Sequence, residues 1–401
     1  FKNASIKLNS PSKIILSKML VEFGESEASI NDISLAFNGT VENDSKLNRI
    51  NTNINYKSEK FPIPIAMALI PPSYQSYTEG MTIDGTASSD GKITGFYCDT
   101  VMPLMDLHVI VYDGSFKYNS LPFTLSNMKG DCVFYSDITH DALTYFRING
   151  FSAKTAKSSF STRGLINHLF SDILIDLTST ADYLDLTELA PMIPANMKVK
   201  INGGATGTVR TVFTMEQLDK MLLDKMRFSG SVALSNFDVL YDTIYMKSDY
   251  AKVDFALPNP NISSKNTKYM YAKINAKSVD AGIVNSYKAF MSNALISLET
   301  SDVMNTTQLP DVKCNFSVDS LFASMDTIKF SARKPSGDFT LLSKKDKNSK
   351  DRILLDYNND RMETSMGSKI GMQTKKIHIN ADVVDFMNSP SVKLICSGNS
   401  L

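Results

Sequence analysis

The strongest constraint on the fold is a two-residue alternation within Met102–Ser136. The apolar residues at every second position are Met105, Leu107, Val109 and Val111. Successive side chains of a β-strand point to opposite faces, so this spacing predicts a strand with one apolar face. Asp113-Gly114 predicts a turn, after which Phe116 and Tyr118 resume the alternation. We expect all six of these apolar side chains to face the same side of a sheet.

Short alternating segments of the same kind continue along most of the chain and are separated by turn residues. Long helical periodicity is rare, and the best helix candidate is Thr214–Met226, in which Thr214 is placed to cap the first turn. The fold class that we predict is mainly β, an antiparallel meander with a few short helices.

A Pro- and Asn-rich segment offers the clearest module boundary. Pro258-Asn259-Pro260 ends one alternating segment, and polar residues follow up to Asn266. We therefore predict one segment over 1–258 and a continuing β-rich segment over 259–401.

A small unit, an apolar residue followed by any residue and then Gly, recurs within or beside the predicted strands. Its glycines are Gly39, Gly85, Gly95, Gly130, Gly150, Gly203 and Gly230. Glycine in a strand marks a bulge, a bend or a close approach of two backbones. Regular bending of a sheet and ordinary turn glycines explain the pattern equally well, because the spacing is irregular.

The composition excludes several classes of function. Lys+Arg and Asp+Glu are equal at 42 each, so no basic surplus points to nucleic acid. The longest apolar runs are shorter than the ~18–20 residues of a membrane-spanning helix. Because the chain begins at Phe1, we expect it to be a mature product or a fragment whose signal or anchor lay before residue 1.

The four cysteines and four histidines show no metal-binding spacing. Cys98 and Cys132 are compatible with a disulfide between nearby strands, but buried free thiols are favoured. The glycine-rich run Gly203–Gly207 lacks the Lys of a phosphate-binding loop and predicts a hairpin turn. His108 falls on the more polar face of its strand. We predict no catalytic residues, no metal, no cofactor and no enzymatic activity.

The stretch from Gly80 to Asp137 carries a resemblance to a known family. Met102-Pro103-Leu104 introduces the alternating strand, which runs through Tyr112-Asp113-Gly114-Ser115-Phe116-Lys117-Tyr118, and the Met128-Lys129-Gly130-Asp131 step follows. This order resembles the AsmA family as found in Bacteroidetes, which is related to TamB-type bridge proteins. Ile201–Asp238 and Leu257-Pro258-Asn259 are similar to that family too. The resemblance covers about residues 25–260, and its motifs are structural rather than catalytic.

The resemblance implies an elongated, curved sheet that forms a repeating β-groove with an apolar interior. It also implies a periplasmic protein, anchored in the inner membrane by a segment that precedes residue 1. Proteins of this kind are thought to carry phospholipid between bacterial membranes. The implied lipid-facing residues are Met105, Leu107, Val109, Val111, Phe116 and Tyr118.

Two functions remain open on these grounds. The first is an AsmA-like envelope protein that binds or conducts phospholipid or another acyl lipid and serves outer-membrane biogenesis. The alternative is a structural or adhesive surface β-protein without lipid transport. Two closed sandwiches would favour the alternative, whereas an open apolar face would favour the first.

Overall fold

The structure is a computed structural model of the 401-residue chain. It describes residues 4–31, 33–68, 79–98, 101–119, 121–137, 140–193, 198–220, 222, 225–258, 269–301, 309–343, 350–367 and 370–400. Across these ranges no helix is both long enough and apolar enough to cross a membrane.

Twenty-four strands and a few short helices make up the described fold. The first twelve strands are β1 (Ala4–Leu8), β2 (Lys13–Ile15), β3 (Leu20–Ile30), β4 (Ile33–Asp44), β5 (Arg49–Ser58), β6 (Phe61–Pro62), β7 (Met81–Tyr97), β8 (Leu104–Tyr118), β9 (Ser126–Ser136), β10 (Tyr145–Lys154), β11 (Ser159–Asn167) and β12 (Leu174–Asp185). The other twelve are β13 (Val199–Thr214), β14 (Arg227–Tyr241), β15 (Ile244–Leu257), β16 (Tyr269–Ile283), β17 (Tyr287–Ser301), β18 (Val312–Ser317), β19 (Ser320–Met325), β20 (Ile328–Arg333), β21 (Ser336–Leu342), β22 (Arg352–Met366), β23 (Ile370–Val384) and β24 (Ser391–Ser400).

The α-helices are α1 (Ile63–Met67) and α2 (Met215–Asp219). Short 3₁₀ turns lie at Leu16–Lys18, Asp141–Leu143, Leu186–Glu188 and Ala190–Met192. The strands belong to one antiparallel sheet of 24 strands, which confirms the mainly β prediction.

The chain divides into two compact units. The first comprises Phe1–Thr180 with Val212–Asp219, and the second comprises Ala181–Thr211 with Lys220–Leu401. β15 and β16 pair on either side of the boundary that we placed after residue 258, with Ala256 opposite Tyr271. Residues 259–268, with which the second predicted segment begins, lie outside the described residues.

In the first unit most neighbours in the sheet are also neighbours in sequence. β3, β4 and β5 pair in turn, β5 pairs with β7, and β7 to β11 pair successively. Hairpin connections of this kind require antiparallel pairing, since a parallel neighbour needs a long crossover.

In the second unit the long strands β14 to β17 pair successively. β17 then pairs with β18 along one half and with β19 along the other. β22 likewise pairs with β21 and β20 before it pairs with β23, and β24 follows β23. β18 with β19, and β20 with β21, therefore each fill one strand position that is interrupted near its middle.

The predicted turn at Asp113-Gly114 is wrong, because β8 continues through it. Asp84-Gly85, which has the same turn-like sequence, lies inside β7, and Gly85 and Gly114 are direct cross-strand partners. Gly85 has a φ of +121°, and a Cβ atom there would lie 2.0 Å from the carbonyl oxygen of Asp113. Glycine is needed here for a close approach of two strands rather than for a reversal of the chain.

Two further local predictions need correction. Gly203–Gly207 lies within the continuous strand β13 and forms no hairpin turn. The described helix in Thr214–Met226 extends only over Met215–Asp219. Thr214 does cap it: the backbone N–H of Gln217 donates to Thr214 Oγ1 at 3.3 Å, and the N–H of Thr214 donates to Gln217 Oε1 at 3.2 Å.

Candidate functional site: the apolar face of the sheet

The strand register places the six predicted residues of β8 on one face. Met105, Leu107, Val109 and Val111 occupy alternate positions, whereas Phe116 and Tyr118 would fall on the opposite face of an unbroken strand. A bulge restores them, because Thr86 and Ala87 of β7 stand opposite Asp113 and Val111 and leave Tyr112 as the extra residue. The register therefore places all six on one face, by a bulge instead of a turn, and their role as lipid-facing residues stays a prediction.

Neighbouring strands extend this apolar face on both sides of β8. Leu107 stands opposite Phe134 of β9, and Val109 stands opposite Cys132. On β7 the partners of Met105 and Phe116 are Ile93 and Ile83. The six residues are half-buried, so the face is continuous from strand to strand but is not sealed from solvent.

The second unit carries a longer apolar face, in rows that cross the sheet from β14 to β23 in unbroken register. One row consists of Val232, Val253, Ile274, Ile296, Phe316, Gly337, Tyr357 and Ile379. The next consists of Gly230, Phe255, Ala272, Leu298, Cys314, Phe339, Leu355 and Ala381. Eight strands that are neighbours in the sheet, β14 to β18 and β21 to β23, thus contribute one apolar or glycine position each to both rows.

The opposite face of the same strands is polar. The row between the two apolar rows points the other way and consists of Ser231, Asp254, Lys273, Ser297, Asn315, Asp338, Asp356 and Asn380. Such strict alternation is typical of a sheet with one face in water and one face against apolar material.

A line that we call the crease crosses the middle of these strands and is defined on its apolar side by Ala251, Ala276 and Ala294. These alanines are in register across β15, β16 and β17 and lie in one buried cluster with Val279 and Val318. Ala276 and Val279 are three positions apart and would face opposite ways in a regular strand. The inward positions of a strand therefore switch between even and odd residue numbers at the crease.

On the polar side of the crease the backbone takes an unusual conformation in several strands. Asn236, Asn293, Lys334 and Lys376 have positive φ angles. Asn293 Nδ2 donates to Asp319 Oδ2 at 2.7 Å, which joins two neighbouring strand positions. Residues with positive φ inside strands re-aim the side chains that follow, so the crease keeps both halves of each strand apolar on the same side.

The chain buries little of its surface for its size. Its residues expose 24668 Å² at a mass of 44.4 kDa, whereas a compact monomer of this mass exposes about 15,500 Å². About half of the buried hydrophobic residues in the described part of the chain are alanines. In the described residues, large side chains of the apolar face such as Phe255, Ile274 and Phe316 remain half-buried.

Titratable side chains on this face show that it is an environment of low polarity. Burial raises the pKa of the thiols of Cys132 and Cys314. It also raises the pKa of the Tyr56 and Tyr357 hydroxyls, although their hydrogen bonds to Ser89 and Asn359 act in the other direction. A face that disfavours charge in both units suits an uncharged apolar ligand.

His108 lies on the polar face and belongs to a small hydrogen-bond network across β7, β8, β9 and β10. Its Nδ1 is 3.2 Å from Asp90 Oδ1, its Nε2 is 3.0 Å from Asp131 Oδ1, and Asn149 Nδ2 donates to Asp131 Oδ1 at 2.8 Å. Desolvation lowers the pKa of His108, but its bonds to Asp131 and Asp90 outweigh that and raise it overall. His108 is thus a hydrogen-bonded side chain of the polar face, the face on which the sequence alternation places it.

The cysteines and the possible metal ligands are the remaining candidates for a chemical site. In the described part of the chain the four cysteines form no disulfide, and Cys132 is buried, Cys98 and Cys314 are half-buried and Cys396 is exposed. The prediction of buried thiols therefore holds for Cys132 alone. Within the described ranges, no cluster of three or more His, Cys, Asp or Glu side chains could hold a metal ion.

The apolar-x-Gly glycines lie within strands, and their surroundings differ. At Gly39, whose φ is +133°, a Cβ atom would lie 2.0 Å from the carbonyl oxygen of Asn53. Around Gly150, in contrast, nothing lies within 4 Å of such an atom. A close approach of two backbones therefore explains some of these glycines and not others.

Sequence reasoning assigned functional residues only to β8 and missed the face of the second unit. The alternation was visible there, for example at Ile296 and Leu298, but the switch of parity at the crease hid its continuity. A search for apolar residues in register across successive hairpins would have found it.

Comparison of the chain with protein-family models, with curated proteins and with solved structures gives no match. Membership of the AsmA family therefore stays a prediction that rests on the resemblance of the motifs alone.

Proposed function

We propose that this chain is an AsmA-like envelope protein that binds acyl lipid along the apolar face of its sheet and conducts phospholipid between bacterial membranes. The observation that carries the proposal is the continuity of the apolar rows from β14 to β23. A linear acyl chain matches a row of apolar side chains in shape and polarity. Each methylene that leaves water contributes about 0.8 kcal/mol.

Half-burial of the face supports this function over the structural or adhesive alternative. A closed sandwich would cover side chains such as Phe316 with a second sheet about 10 Å away. In the described part of the chain these residues keep part of their surface in solvent. No catalytic group is required, because the ligand is moved and not transformed. The periplasmic location is part of the same proposal.

Photocrosslinking tests the proposal with a pair of neighbouring residues. Val109 lies on the apolar face, and Ile110 is an apolar residue of similar size on the polar face. A photoreactive phenylalanine analogue at Val109 should crosslink to phospholipid in cells, and the same analogue at Ile110 should not.

A second pair extends the test to the other unit. Ile296 faces the apolar rows, whereas Leu295 is exposed on the opposite face. Lipid should again be recovered only from the inward position, by mass spectrometry of the crosslinked protein. Equal labelling of both members of each pair, or none, would refute lipid binding on this face and would favour the structural role.

A further inference from the structure

One end of the second unit's strands carries an exposed apolar row that the proposed groove does not require. This tip row consists of the inward-facing residue on either side of each turn: Tyr241, Ile244, Ile283, Tyr287, Met325, Ile328, Met366 and Ile370. Each is the direct cross-strand partner of the next. Across eight strands the row is about 34 Å long at the usual spacing of strands.

Exposure distinguishes the tip row from the rows beside it. Its members are 37% to 65% exposed, whereas Val279, Ala332 and Met362, which lie further inside on the same face, are at most 9% exposed. Scattered apolar residues on a surface are ordinary, but a contiguous line of eight large ones marks a contact with another molecule or a membrane.

Tight turns keep the row at the very edge of the sheet. Only Asp242-Thr243 separates Tyr241 from Ile244, and only Asp326-Thr327 separates Met325 from Ile328. Little chain is therefore present beyond the row, and the apolar side chains form a projecting lip.

A lip one residue wide fits a fluid partner better than a rigid one. A stable protein interface buries about 800 Å² on each partner over some 20–30 residues. A rigid body, a second copy of the chain included, could cover only one side of a single line of side chains and so falls well short of that area. Lipid headgroups and acyl chains can instead surround each side chain, as they do for other interfacial elements.

The composition of the row agrees with a membrane interface. Tyr241 and Tyr287 combine an apolar ring with a hydroxyl that can stay in water, which is the preference of aromatic residues at the headgroup level. Met325 and Met366 are flexible and adapt to irregular apolar surroundings. Lys288 and Lys329 flank the row on the polar face, with Asp242 and Asp326 in the turns, so the local charge is nearly balanced.

We infer that the tip row is a docking surface for a phospholipid bilayer. Its side chains insert into the headgroup region and place the edge of the apolar face there. The inference rests on the proposed function for its biological sense, because a lipid could then pass between bilayer and face without crossing water. Balanced charge gives a binding that depends on apolar insertion and is little affected by salt.

The absence of Trp from the sequence allows a direct test with a single reporter. In the full chain, Met325→Trp places a fluorophore in the tip row, and Leu295→Trp places one at a similarly exposed position on the polar face. With phosphatidylcholine vesicles that contain brominated acyl chains, fluorescence of the Met325→Trp protein should be quenched at least threefold more than that of the control. Equal quenching, or none in either protein, overturns the inference.

A loss-of-function series gives a second readout. The variant Ile244→Ser/Ile283→Ser/Met325→Ser/Met366→Ser should lower flotation with phosphatidylcholine vesicles at least tenfold, in 0.1 M and in 0.5 M salt alike. The control Phe290→Ser/Leu295→Ser/Phe322→Ser removes apolar residues of similar exposure from the polar face and should stay within twofold of the wild type. Unchanged flotation of the first variant overturns the inference.

Two further measurements distinguish failure of membrane docking from failure of the proposed lipid-binding function. Light scattering after gel filtration shows whether the row joins copies: a wild-type dimer that the tip variant makes monomeric overturns membrane docking. Binding of a dispersed fluorescent fatty acid tests the face itself and should stay within twofold in the tip variant. Fatty-acid binding without vesicle binding refutes docking alone, and vesicle binding without fatty-acid binding supports docking while it refutes the proposed function.

Discussion

The two ends of the strands in the second unit are built in opposite ways. At the turn end, tight turns leave the tip row exposed. At the other end, which we call the connection end, longer segments such as 302–311 and 343–351 join the strands. There Thr300, Ser301 and Asp351 are at most 5% exposed.

The connection end is held by a polar network. Ser343 donates to Asp311 Oδ1 through its backbone N–H at 2.8 Å and through its hydroxyl at 3.0 Å. The N–H of Met387 donates to Asp351 Oδ2 at 3.0 Å. Buried polar groups need such partners, whereas apolar groups in water need none. One end is therefore organised for stability, and the other is left available for contact.

The largest loss of stability should arise at the crease, where the two halves of the strands meet. Ala276→Leu at the crease adds three carbons at a side chain with 0% exposure and should lower the free energy of unfolding by about 3 kcal/mol. Urea denaturation measures it. The control Ala281→Leu, on the same strand but only half-buried, should cost less than half as much. Equal costs would mean that the crease is no tighter than its surroundings.

The second-largest loss of stability should follow from Asp311→Ala at the connection end. The substitution removes the acceptor of both donors of the half-buried Ser343, at a cost of about 2 kcal/mol. Urea denaturation should show this loss, and hydrogen exchange should show faster opening of β18 and β21 than of the turn end. If hydrogen exchange shows that both ends of the strands open equally fast, the two ends do not differ in local stability.

A smaller, pH-dependent effect should appear at Arg352, also at the connection end. Its Nε and Nη2 donate to the two carboxylate oxygens of Asp382 at 2.8 and 2.6 Å, which lowers the pKa of Asp382. A lowered folded pKa adds stability above the ordinary carboxyl pKa of about 3.9, and this stability is lost as the pH falls through the folded value.

The variant Arg352→Gln should therefore be less stable than the wild type at pH 7, with a difference that shrinks below about pH 4. Thermal unfolding between pH 3 and pH 7 checks this. In an Asp382→Asn background the Arg352 substitution should have no pH-dependent component, and a difference that persists there would assign it to another group.

The smallest effect on stability belongs to the turn end. Met325→Ser changes a side chain that is 55% exposed and should alter the free energy of unfolding by no more than about 0.5 kcal/mol. The same substitution should weaken vesicle binding. A large loss of stability would show that the tip row is part of the folded core and would remove its contrast with the connection end.

Side-chain alternation made the class of fold predictable from the sequence. The six residues of β8 were predicted to share a face, and they do, because alternate apolar residues have few other ways to be buried together. The bulge at Tyr112 was not predictable, since its signal, Asp113-Gly114, is equally typical of a turn. Only the pairing of Gly85 with Gly114 in three dimensions separates these two meanings.

The site in the second unit was harder to predict for a related reason. The inward positions of a strand switch between even and odd residue numbers at the crease, as at Ala276 and Val279. A change of parity looks like the end of one strand and the start of another, unless the positive φ of residues such as Asn293 is known. Exposure of the tip row depends on tertiary structure and leaves no mark in the local pattern.

Pairing without register shifts from β14 to β17 has a consequence for how such a face changes in evolution. Each hairpin brings its own turn, its own positions in every row and its own share of the crease. Duplication or loss of one hairpin would therefore leave all rows in phase and change their length by two strand spacings, about 9.6 Å. Gene segments that encode one hairpin are thus the natural increments by which this protein could match a longer or shorter ligand.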